Sequence, residues 1–66
     1  MMEIIRKYTN MDKVTLALLL EEGRARVTDL QFHLTLTRGQ IKTALDRLVA
    51  KGTVTYETVT RSYRLL

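Results

Sequence analysis

The stretch from Thr37 to Gly52, TRGQIKTALDRLVAKG, decides how the rest of the chain is read. Thr37 followed by Gln40 is a capping box. The threonine oxygen accepts from a free amide of the first helical turn, and the glutamine reaches back to the cap's own amide. Ile41, Ala44, Leu45, Leu48 and Val49 recur at the spacing of one helical face, whereas Gly39, Thr43, Asp46, Arg47 and Ala50 fall on the other. Gly52 stands where a helix ends on a left-handed residue, with Lys51 set favourably against the negative end of the helix dipole. A helix from Thr37 to Lys51 is therefore expected, with a core side and a display side.

Downstream of Gly52 the period changes. Val54 and Tyr56 alternate with Thr53, Thr55 and Glu57, and Tyr63 and Leu65 alternate with Ser62 and Arg64, which predicts two strands. The residues between them, Thr58 to Arg61, contain no Gly, Asn or Pro, so the hairpin is inferred from its flanks. Upstream, Thr28 with Asp29 is expected to open a helix in which Leu30 and Leu34 lie one turn apart on the core side. Only Thr35 and Leu36 then precede the cap at Thr37, so two helices are joined by a tight turn. Arg24 to Val27, with Ala25 and Val27 alternating, suits a short strand.

A second capping box, Thr9 to Asp12, with Asn10 as a competing cap, introduces a helix expected to run to about Glu22 and to stop at Gly23. Met11, Val14, Ala17 and Leu18 make one stripe, but Leu16, Leu19 and Leu20 point elsewhere. A helix apolar over most of its circumference must be covered on more than one side. The N-terminal segment or a second subunit is expected to cover what the core does not, and a homodimer through helix 1 and the N-terminal segment follows. Residues 1–8 read either as a frayed terminus or as an N-terminal arm serving that dimer.

Sixty-six residues allow one small domain, here residues 1–66, with a marginal core and no room for a separate catalytic or ligand-binding domain. With no cysteine and one histidine, disulfides, thiolate metal sites and histidine clusters are excluded, and neither metal nor cofactor is expected. The longest apolar run, Leu16 to Leu20, is far short of a membrane span, and the first residues carry no signal-peptide pattern. A soluble, cytoplasmic protein is expected. Eleven Lys and Arg against seven Asp and Glu leave a net charge of +4, which favours a polyanionic partner without naming it.

The order helix, short strand, helix, tight turn, helix, hairpin resembles the winged helix-turn-helix family of bacterial, archaeal and phage transcription regulators. DLQFHLTLTRGQIKTALDRLVAKGTV is similar to the family's second helix, turn and recognition helix, and RSYRL to its returning wing strand. Gln31 stands where the family commonly has a small residue, and Thr35 where it commonly has glycine, so the turn is expected to be built differently. The fold class implied is α+β: a three-helix core with a short strand and a C-terminal β-hairpin wing. The function implied is sequence-specific binding of double-stranded DNA, with the helix at 37–51 in the major groove and the wing on the backbone or minor groove.

Thr37, Arg38, Gln40, Lys42, Thr43, Arg47 and Arg61 are the candidate DNA-binding residues. Arg38 and Gln40 are the expected base readers, because guanidinium and amide make paired hydrogen bonds to guanine and adenine. Capping alone accounts for Thr37, and it competes with base contact for Gln40. Lys42 and Arg47 are expected on phosphates, with pairing of Arg47 to Asp46 or Glu57 as the other reading. Arg61 and Arg64 fall on the wing, where the resemblance implies a basic residue over the minor groove or backbone, and Arg61 is nearer the tip. Arg24 and Arg26 either extend the basic surface or serve solubility. Tyr56 and Tyr63 are expected as cross-strand core partners, and His33 as a surface or half-buried residue. Phe32 either packs on the N-terminal segment or belongs to an interface. Catalysis is not expected, since no nucleophile or base is oriented by a third group. The competing function is a protein-binding winged helix, an adaptor without DNA affinity.

Overall fold

The computed structural model describes residues 8–66. These residues form a small α+β domain with three helices and a three-stranded antiparallel sheet. In order these are α1 (Asn10–Leu20), β1 (Arg24–Ala25), α2 (Val27–Gln31), α3 (Arg38–Lys51), β2 (Val54–Glu57) and β3 (Ser62–Leu65). The N-terminal arm expected at residues 1–8 lies, but for Tyr8, outside the described residues.

Helix α1 begins at the predicted box. Thr9 Oγ1 accepts from the Asp12 amide at 3.1 Å, and the Asp12 carboxylate accepts from the Thr9 amide at 3.1 Å. It ends at Leu20, short of the expected Glu22, because Glu22 (φ 61°) and Gly23 (φ 87°) are both left-handed. That double reversal lets the Gly23 amide reach the Leu18 carbonyl at 2.7 Å, while the Gly23 carbonyl accepts from Leu65 of β3 at 2.8 Å.

Strand β1 is shorter than predicted and α2 starts earlier. Arg26, not Thr28, is the N-cap, and Val27 is the first helical residue. The Asp29 carboxylate accepts from the Arg26 amide at 3.0 Å, half of a capping box that an arginine side chain, having no acceptor, cannot complete. Helix α2 closes at Gln31, so Leu34, expected one turn along the same helix, lies beyond it and is only partly buried. The link to α3 thus runs from Phe32 to Thr37 and not over two residues. None of its residues has positive φ, so Thr35 meets no conflict where the resemblance placed glycine.

Helix α3 has the bounds read from its sequence. Thr37 Oγ1 accepts from the Gln40 amide at 3.1 Å, Gln40 Oε1 accepts from the Thr37 amide at 3.0 Å, and Gly52 closes the helix at φ 82°. Ile41, Ala44, Leu45 and Leu48 are buried, but Val49, expected with them, is 39% exposed at the edge of the stripe. The core joins them to Val14, Leu18 and Leu30 of the other helices and to Val54 of the sheet. The sheet order is β1-β3-β2: Arg24 and Ala25 pair with Arg64 and Tyr63, and Tyr56 pairs with Tyr63 in the hairpin. The two tyrosine rings are 4.8 Å apart at a tilt of 54°, with Tyr63 in the core and Tyr56 at its rim. Among the described residues, no helix is long and apolar enough to cross a membrane.

Candidate nucleic-acid interface

Helix α3 packs one side on the core, and the sequence leaves its remaining surface to be shaped by neighbours. Two grooves flank it. The wing-side groove, of about 720 Å³, lies between α3, the start of α2 and the hairpin. Its charged lining residues are Arg26, Arg38, Lys42 and Arg61, with Asp46 as the one acid. Val49 and the two tyrosines form its floor, which gives the solvent-facing Val49 a place. The second groove, of about 630 Å³, lies where the N-termini of α1 and α3 meet, and among the described residues Arg47 is its one charged lining residue.

The seven candidate residues are therefore divided. Arg38, Lys42 and Arg61 come together in the wing-side groove, whereas Thr37, Gln40, Thr43 and Arg47 line the other. Arg38 and Gln40, expected to read bases side by side, lie on opposite flanks of α3. Gln40 is moreover engaged, its amide oxygen held by the Thr37 amide in the cap. A paired contact to adenine needs that same oxygen, so it must either use the oxygen's second lone pair from the capped orientation or open the cap.

The cations differ in how far they are committed. Arg24 and Arg64 face each other across β1 and β3, and both pair with Glu57 of β2, at 3.2 and 2.9 Å. Glu57 is thereby unavailable to Arg47, and Asp46 lies 3.7 Å from Lys42. An exposed pair of that kind contributes about 0.2–1 kcal/mol and yields readily to a better partner. Arg61 takes its place from the backbone: the turn over residues 58–61 has no glycine, and Arg61 itself supplies the left-handed step at φ 56°.

Arg26 is the residue whose place the sequence could not show. Its Nε donates to the Thr60 carbonyl at 3.2 Å, tying the start of α2 to the wing turn. The two lie 34 residues apart and meet because β1 pairs antiparallel with β3, Ala25 opposite Tyr63, which carries Arg26 to the wing turn. At the opposite end of the domain, His33 Nε2 lies 2.6 Å from Glu21 Oε2, fastening the α2–α3 link to the end of α1. Phe32 beside it is 88% exposed. Among the described residues, no group of three His, Cys, Asp or Glu side chains is placed to hold a metal ion. No family model, curated protein or solved structure matches the chain.

Proposed function

We propose that the chain is a winged-helix protein that binds double-stranded DNA sequence-specifically and acts as a transcription regulator. The observation that carries this reading is the wing-side groove, where Arg26, Arg38, Lys42 and Arg61 converge from three elements against a single carboxylate. The antiparallel hairpin after α3, with β1 added to its returning strand, supports the winged-helix reading. In this arrangement α3 enters the major groove. Arg26, Lys42 and Arg61 hold one phosphate strand, Arg47 faces the other, and Arg38 is left to a base edge. A protein-binding adaptor would tend to lack basic residues on α3 and the wing, and the four cations of this groove weigh against that alternative.

Retention of duplex DNA as a function of salt tests this. Four phosphate contacts give a slope of log affinity on log salt of about −3.6. No binding at low salt would favour the adaptor.

The same reading includes a homodimer through α1. Leu16, Leu19 and Leu20 lie at i, i+3 and i+4 on the side of α1 away from Val14, Ala17 and Leu18, and are 46, 59 and 69% exposed. The part expected of residues 1–7 in that dimer lies outside the described residues.

A further inference from the structure

Among the described residues, nothing packs on Gly39 in a way that requires glycine. Among the described residues the glycines with positive φ are Gly23 and Gly52, so Gly39 holds a conformation open to any residue. A Cβ built on it meets nothing nearer than Thr37 Oγ1 at 4.0 Å. Glycine in a helix is less stable than alanine, and here its missing side chain leaves the backbone of the first turn of α3 open to close approach from outside.

Its place on α3 says what can approach. Advancing by about 100° per residue, Gly39, Thr43 and Asp46 centre on the direction opposite the buried Ile41, Ala44, Leu45 and Leu48. This crown is the part of α3 that would meet the floor of a groove first. Asp46 is the one acid of α3. Its side chain is 61% exposed and lies 3.7 Å from Lys42. A carboxylate amid four cations repels phosphate, but it can accept from a base edge that offers a donor.

We infer that the crown of α3 reads the bases: Gly39 lets the helix backbone approach the floor of the major groove, and Asp46 accepts from the exocyclic amino group of a cytosine. This rests on the DNA-binding reading above. Cytosine presents an N4 amino donor there, whereas guanine and thymine present acceptors, and adenine sets an N7 acceptor beside its amino group. A carboxylate is therefore matched by cytosine alone.

Site selection from duplexes randomised over one turn of DNA tests the assignment, with wild type, Asp46→Asn and Gly39→Ala compared. Wild type should enrich cytosine at one position. Asp46→Asn should move that position to adenine, because a carboxamide pairs with N6 and N7 together. Gly39→Ala should bind the selected duplex about tenfold more weakly, with a melting temperature no lower than wild type. Cytosine retained by Asp46→Asn, with affinity raised equally on every duplex, would overturn the inference, since Asp46 would then only repel the backbone. Full affinity in Gly39→Ala would overturn it too. Both results leave DNA binding intact, whereas a wild type that retains no duplex at low salt overturns both readings.

Discussion

Arg61 joins backbone strain to charge, and two replacements separate them. At φ 56° it occupies the left-handed region, which costs a residue with a Cβ about 1–2 kcal/mol. Glycine escapes that cost but gives back about 0.5–1 kcal/mol through the entropy of the unfolded chain. Arg61→Gly should thus lie between neutral and about 1.5 kcal/mol more stable than wild type, while Arg61→Ala keeps the strain and should fall about 1 kcal/mol below the glycine variant. In a domain of this size that gap is about 4–8 °C in Tm, readable by circular dichroism. Both variants lose the same cation, so both should lower the salt slope of duplex binding by about 0.9. The expected result is a pair of proteins that differ in stability and agree in DNA binding. Equal melting temperatures would refute the strained turn. An unchanged slope in both would mean that the wing does not meet the phosphate backbone.

Leu45 is fully buried at the centre of α3, and Leu45→Ala should cost about 2–5 kcal/mol in urea unfolding, enough to leave so small a domain largely unfolded. Thr37→Ala and Gln40→Ala should each cost about 0.5–2 kcal/mol, and the double variant less than their sum, because each removes half of one capping box. Additive losses would show that the two hydrogen bonds form independently. Leu16→Glu should keep its helical dichroism and sediment as a monomer where wild type is a dimer; a monomeric wild type at high micromolar concentration would remove the dimer from the proposal.

Local chemistry accounts for what was legible in the chain. The boundaries of α3 follow from Thr37, Gln40 and Gly52, which act within a turn or two of themselves, and the cap of α1 follows from Thr9 and Asp12 in the same way. The hairpin was legible from alternation, and its cross-strand tyrosines from their place in it. The errors cluster where a distant segment outweighs local preference. Thr28 is a better cap than Arg26 by composition, but the chain leaves β1 after Ala25, and the Asp29 carboxylate then settles on the Arg26 amide. Glu22 ended α1 early because the reversal into β1 required a second left-handed residue beside Gly23.

By itself, then, the sequence determined an α+β order of elements, the start and end of α3, and a basic balance of charge, all of which depend on interactions between near neighbours or on composition. Tertiary structure decided which cations share a groove. Arg26 and Arg61 share a groove with Arg38 and Lys42 because β1 pairs with β3 and the hairpin packs on α3, and the same strand register draws Arg24 and Arg64 to Glu57. It also set Arg38 and Gln40 on opposite flanks of one helix, since the flank a residue belongs to depends on which elements pack against the helix. Helical periodicity marks the side that faces inward. What stands beside the outward side depends on contacts across tens of residues, which no local pattern encodes.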